Sequence, residues 1–279
     1  MRFLITGSRG QLGSAFAQLI PEQHRLPYDL PELDVTDLAT TRQLVQDAKV
    51  QVVIHCAAFT DVDGCTLDPD KAQFVNACGS RNVAYACAES DTAMVLISTN
   101  EVFDGTKPEP YREVDKPNPI NSYGISKLAA ELSAQRILER LYIVRTSWMY
   151  SKHGSNFIHK IQKLADERES LSVVSDELGA PTWSRDLALA IIDLIKTEKY
   201  GVYHLVNSGH TSRFDLARMV LDLTSRNDIA IDPIGIADYK RVSTPPRNGV
   251  LENVNGALIG IRLRPWDEAL REFLRANSS

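Results

Sequence analysis

Apolar residues follow two rhythms along this chain. Short unbroken runs at residues 2–6, 50–56, 93–98 and 141–146 are rich in β-branched side chains and too short for helices. Such runs predict strands buried on both faces. Between them, residues 11–20 repeat apolar positions at helical spacing, with Leu12, Phe16, Leu19 and Ile20 on one face. Residues 70–89 and 122–140 predict two more helices. Strands alternating with helices predict right-handed βαβ units. The expected fold class is therefore α/β: a Rossmann-type, doubly wound parallel sheet with helices on both faces.

After Trp148 the rhythm loosens. Helices are predicted at 156–165 and 184–196, and a strand at 201–207. The remainder is rich in Pro, Gly and Asn, notably at 179–182, 233–235 and 245–249. This predicts a smaller irregular region on the carboxyl edge of the sheet. No internal repeat and no low-complexity segment occurs.

Composition removes whole classes of function. The 279 residues are 43% hydrophobic and 24% charged, with a net charge of −5. Enough apolar mass is present for a full core, and the charge argues against a nucleic-acid partner. No apolar run reaches the ~18–20 residues that span a bilayer. The first residues enter a strand at once and lack a secretory signal pattern. Cys56, Cys65, Cys78 and Cys87 form no C-x-x-C pair and have no histidine cluster beside them. They read as free thiols, with no metal site and an expected cytoplasmic location.

The turn after the first predicted strand carries Gly7, Gly10 and Gly13 in the spacing G-x-x-G-x-x-G and opens a helix. In a dinucleotide-binding turn the first glycine permits the tight bend. The second lets backbone approach a pyrophosphate, and the third lets helix and strand pack closely. The phosphates then meet helix-start N–H groups, here around Gln11 and Leu12. An acidic residue about 20 positions on is expected at the ribose. Asp29 is a candidate, and Asp34, followed by Val35, is a candidate for the adenine end. Arg9 is placed to contact a 2′-phosphate. An Asp favours NADH and an Arg favours NADPH; Arg9 tips the expectation to NADPH, with NADH accepted. Residues 1–148 are then a dinucleotide-binding domain. Residues 149–279 form mainly a substrate-binding region, with segments near 184–207 rejoining the sheet.

Tyr123 and Lys127 lie four apart at the start of a predicted helix and share one face. Hydride reduction of a ketone leaves a developing alkoxide that needs a proton, and a tyrosine phenol is a suitable donor. Lys127 supplies positive charge and a hold on the nicotinamide ribose. Thr99, with Ser98 before it, ends a strand at the carboxyl edge, where ligands bind in such sheets.

With these residues in place, the chain resembles the extended short-chain dehydrogenase/reductases, and among them the dTDP-4-dehydrorhamnose reductases, over essentially its whole length. The likeness is carried by the glycine turn, His55-Cys56-Ala57-Ala58-Phe59-Thr60, Asn76-Ala77, Ser98-Thr99, Val102-Phe103-Asp104-Gly105 and Asn121-Ser122-Tyr123-Gly124 with Lys127. It continues through Arg145-Thr146-Ser147-Trp148, Asn156-Phe157 and Gly179-Ala180-Pro181-Thr182. The resemblance implies reduction of the 4-keto group of a dTDP-4-keto-6-deoxysugar. It implies that Ala57, Ala58 and Thr60 line the cofactor site and that Phe103, Trp148, Asn156 and Arg247 touch the nucleotide-sugar substrate. It leaves a homodimer open. Where the reductases read S-T-D-Y-V-F, this chain has Asn100-Glu101. Glu101, expected at the substrate, matches one half of the acid/base pair of the sister nucleotide-sugar dehydratases. Two alternatives follow: a dehydratase or epimerase on the same fold, or a non-catalytic subunit resembling the regulatory subunit of methionine adenosyltransferase.

Overall fold

The computed structural model describes residues 1–277. Five strands, β1 (Phe3–Thr6), β2 (Arg25–Tyr28), β3 (Val52–His55), β4 (Ala93–Thr99) and β5 (Leu141–Thr146), join a later strand, Gly201–His204. Their order in the sheet is Gly201–His204, β5, β4, β3, β1, β2, all parallel. Every residue of β1, β3 and β5 is buried, as their unbroken apolar runs require. β2 is the exception. It is short, carries Pro27 and lies at the sheet edge, where a missing N–H leaves no ladder bond open. The order reverses at β1, which opens a crevice at the carboxyl ends of β1 and β3.

Helices cover both faces. On one, Leu12 and Phe16 of α1 (Gln11–Leu19) pack with Leu187, Ile191 and Leu194 of the Ser184–Lys196 helix. On the other, Val45 of α2 (Leu38–Ala48) packs with Val83, Ala130 and Ala134. A further apolar core joins Tyr150, Ile158, Trp183, Leu216 and Phe273. Beside it a parallel two-stranded ribbon pairs Ser170–Val174 with Ala230–Ile234.

The helix expected over 70–89 is built from three pieces: Pro69–Ala72, a π-helical turn Gln73–Cys78, and Gly79–Glu89. The wide turn coincides with Asn76, whose buried side chain makes three hydrogen bonds instead of facing apolar neighbours. The last sheet strand stops at His204, short of residue 207. Asn207 leaves the ladder to accept from the Trp183 N–H and to donate to Asp186 and the Arg264 carbonyl. No helix among the described residues is long and apolar enough to cross a membrane.

Candidate active site

β4 delivers Thr99 to the carboxyl edge of the sheet, and the chain returns there through Asn121. Its side-chain oxygen accepts from the Gly124 N–H and caps the Ser122–Ile137 helix. A Cβ on Gly124 would lie 2.0 Å from the Glu101 carbonyl oxygen, so only glycine lets this helix rest on the turn after β4. Tyr123 and Lys127 therefore stand one turn apart beside Thr99. All three line one cleft of about 1020 Å³.

The same cleft is lined by Gly7, Arg9, Gly10, Gln11 and Leu12 of the glycine turn, and by Asp29, Asp34 and Val35. Ala57, Ala58, Thr60, Ser98, Glu101 and Trp148 line it too. Gly7 has φ +64°, and a Cβ there would come within 2.6 Å of the Ala57 nitrogen; one on Gly13 would come within 2.3 Å of the Gly7 carbonyl oxygen. Among the described residues, no side chain caps the start of α1.

Burial governs the electrostatics. It pulls the Lys127 ammonium down to about 8, against the pull of the nearby Glu131 carboxylate. It pushes the Tyr123 phenol upward, with the Glu101 charge adding to the rise and a hydrogen bond with Thr99 opposing it. The Glu101 carboxyl is pushed up to about 7, chiefly by burial, although Asn121 donates to it at 2.6 Å. The cleft thus disfavours charge, and Tyr123 keeps its proton, as a donor must.

Behind the cleft, Arg145 makes a buried two-point ion pair with Glu131 at 2.9 and 2.7 Å, and Ser98 spends its hydroxyl on the same carboxylate. Asn76 ties both walls together. It accepts from the Phe59 N–H at 2.7 Å and donates to the Phe59 carbonyl and the Ser126 hydroxyl at 3.0 and 2.9 Å.

Several expected residues are placed differently from the reading above. The Arg9 guanidinium donates to both Glu32 oxygens, at 2.6 and 2.7 Å, and to the Leu30 carbonyl, while Asp29 accepts from the Arg9 backbone N–H. Phe103 does not line this cleft: it is buried and stacks on Tyr111 with ring centroids 4.3 Å apart. Asn156 caps the Phe157–Glu167 helix and bonds the Ser151 carbonyl, so its polar atoms are spent locally. Arg247 is exposed on the surface loop and lines neither cavity.

Other residues enter to which the sequence assigned no site role. A second cavity of about 610 Å³ shares Trp148 with the first and is lined by Arg213, Arg241, Lys160, Arg168, Glu177 and Asp63. Arg213 pairs with Glu177 and Arg241 with Asp63. Thr146 and Ser147 line the first cleft, and their hydroxyls find no partner among the described residues. The paired positions are 36 or more residues from their partners, and the others carry ordinary residue types, so no local spacing announces them.

Comparison with known proteins accords with this geometry. A dTDP-4-dehydrorhamnose reductase of Sinorhizobium fredii is 34% identical over 289 residues, covering 99% of this chain and 97% of the relative. A dTDP-4-keto-6-deoxy-D-glucose reductase of Streptomyces niveus is 34% identical over 278 residues, covering 97% and 96%. The crystal structure of a dTDP-4-dehydrorhamnose reductase from Bacillus anthracis in complex with NADP superposes with a TM-score of 0.96 at 36% identity, over 99% of each chain. The family model of the RmlD substrate binding domain matches residues 1–279, and this chain belongs to that family.

Proposed function

We propose that this chain uses NADPH to reduce the 4-keto group of a dTDP-linked 4-keto-6-deoxysugar, with dTDP-4-dehydrorhamnose the expected substrate and dTDP-L-rhamnose the product. The observation that carries this reading is the meeting of two cavities at Trp148, with Thr99, Tyr123 and Lys127 in the first of them. One cavity has the volume and lining for a dinucleotide. The other has paired arginines and two lysine or arginine neighbours, suited to a sugar nucleotide with its diphosphate.

The residues fit a dinucleotide. Three glycines keep the turn open to close backbone approach, and the uncapped α1 start leaves N–H donors for a pyrophosphate. When bound, NADPH supplies the hydride to C4 of the sugar. The chain's own part is the proton: Tyr123 gives it to the C4 oxygen, turning ketone into alcohol. Thr99 orients the phenol. Lys127 holds the nicotinamide ribose and keeps a positive charge beside the phenol as its proton leaves. Asp29, fixed at the end of β2 by two backbone donors, meets the adenosine ribose. Relatives support NADPH through the NADP-bound Bacillus anthracis enzyme, and NADH remains an accepted second donor. The four free cysteines, buried or half-buried, suit a reducing compartment, and we place the protein in the cytoplasm.

Glu101 favours weighing the dehydratase reading, because it lines the cleft next to Tyr123. Dehydration needs an acid as well as a base. Asn100 is buried against Gly249, and an amide delivers no proton at neutral pH. The deciding experiment follows NADPH absorbance with dTDP-4-dehydrorhamnose. Stoichiometric consumption supports the reductase. No consumption, or formation of a 4-keto-6-deoxy product from dTDP-glucose with catalytic NAD, overturns it.

A further inference from the structure

Arg213 does more than face the second cavity. It opens the Arg213–Leu223 helix, and its Nε donates to Glu177 at 3.1 Å. Its backbone N–H donates to the Glu177 carbonyl at 3.3 Å. The Glu177 carboxylate is itself buried, so this clamp is shielded from water. The flat face of the guanidinium covers the indole of Trp148, its carbon 3.5 Å from the ring centroid. Gly179 lies against the same ring: a Cβ there would come within 2.3 Å of it. Trp148 is held with φ +43°, in the left-handed region that a bulky residue rarely adopts. Such a conformation persists only where the surroundings over-determine it. Among the described residues, the two terminal nitrogens of Arg213 have no hydrogen-bond partner. They remain for an anion in the second cavity, which Arg213 lines.

We propose that Arg213 is a positioning residue of the reduction: clamped by Glu177, it holds Trp148 as the wall between the two cavities and couples the anionic part of the sugar nucleotide to the seat of the keto sugar. This rests on the reductase reading above. The guanidinium is used in three directions at once, its Nε on Glu177, its face on Trp148 and its terminal nitrogens on the ligand. A lysine keeps the charge but has neither the plane nor the fork. Arg213→Lys therefore separates electrostatic attraction from positioning.

Three readouts test this in the full-length protein. Acrylamide quenching of Trp148, obtained by subtracting Trp148→Phe from the parent, reports the wall with no keto sugar present. In Arg213→Lys it should rise, and in the parent, but not in Arg213→Lys, saturating dTDP should lower it. For turnover, kcat should fall about 10²-fold, the scale of a misplacement near 1 Å, while the NADPH Kd stays within about threefold, because Arg213 itself does not line the cofactor cleft. Glu177→Gln keeps the arginine, loosens its clamp and should move every readout the same way by less; it serves if Arg213→Lys fails to fold. A higher KM with unchanged kcat would reduce Arg213 to a simple charge contact. Unchanged quenching would show that it does not hold Trp148. If the parent reduces no keto sugar, the reductase reading fails, and the quenching measurements still decide the role of Arg213.

Discussion

Burial acts on Tyr123 and Lys127 in opposite senses, and both effects serve the reaction. The phenol keeps its proton until the substrate oxygen takes it. Tyr123→Phe keeps the ring and removes the donor, so reduction should fall by ~10²–10⁴-fold with NADPH affinity nearly intact; near-normal turnover would mean another acid. Lys127 titrates near 8 in the folded chain instead of 10.5. Its charge is present below that value and lost as pH rises through it, so NADPH affinity and turnover should decline above about pH 8. The stability consequence has the opposite sign. Between about 8 and 10.5 the unfolded chain holds this proton more tightly than the folded one, so the group's contribution to stability rises with pH across that window. At pH 7 the buried ammonium is a net burden. Lys127→Met should therefore lose activity yet melt higher at pH 7, by roughly 2–4 °C for each kcal/mol regained, with the gain vanishing near pH 10.5. A lower melting point at pH 7 would refute this account. Arg9 poses a different problem, since Glu32 already occupies its guanidinium. That pair is exposed, and exposed pairs are weak, so a 2′-phosphate can displace the carboxylate. Arg9→Ala should weaken NADPH more than NADH. Equal losses for both would exclude the phosphate contact.

At the scale of elements, the π-helical turn at Gln73–Cys78 matters most. Turns of this kind often mark functional positions. Here the turn brings the Asn76 amide between the Phe59 backbone and Ser126, whose hydroxyl donates in turn to the Tyr123 carbonyl at 2.8 Å. The loop that brings Ala57, Ala58 and Thr60 to the cleft and the helix of Tyr123 and Lys127 are thereby held at one spacing. Asn76→Ala strands the Phe59 N–H and leaves the Phe59 carbonyl only the weak Cys65 thiol donor, which costs about 1–3 kcal/mol. It should also weaken NADPH binding several-fold, because two cleft walls lose their link. Thermal melting and a cofactor titration check this pair of effects; a stability loss with unchanged NADPH affinity would leave Asn76 a purely structural role.

For the whole molecule, the two cavities and their shared wall make ligand binding and stability one problem. A ligand that binds only the folded chain stabilises it by mass action. NADPH at about 100 times its Kd should add about 2.7 kcal/mol, seen as a higher melting temperature. Because Trp148 borders both cavities, dTDP and NADPH together should raise the melting temperature by at least the sum of their separate effects. No shift with NADPH would be incompatible with the cleft as its site.

What the sequence by itself determined lies within short contiguous stretches. Unbroken apolar runs mark β1, β3, β4 and β5, because a strand buried on both faces has no polar side to show. The glycine turn and the Tyr123–Lys127 pair are legible because their geometry is local: a bend of seven residues and one turn of helix. β2 was nearly silent, since an edge strand of four residues with a proline carries little pattern. Tertiary structure alone decided the rest. It paired Arg213 with Glu177 and Trp148, set Asn76 against Ser126, and gave the Arg9 side chain to Glu32. It also turned Phe103 into the core and spent Asn156 on a helix cap. The direction of a side chain and the identity of a partner dozens of residues away depend on how elements pack. A local pattern can announce that a residue is near the sheet edge, but packing chooses whether its side chain faces the cleft, the core or the solvent.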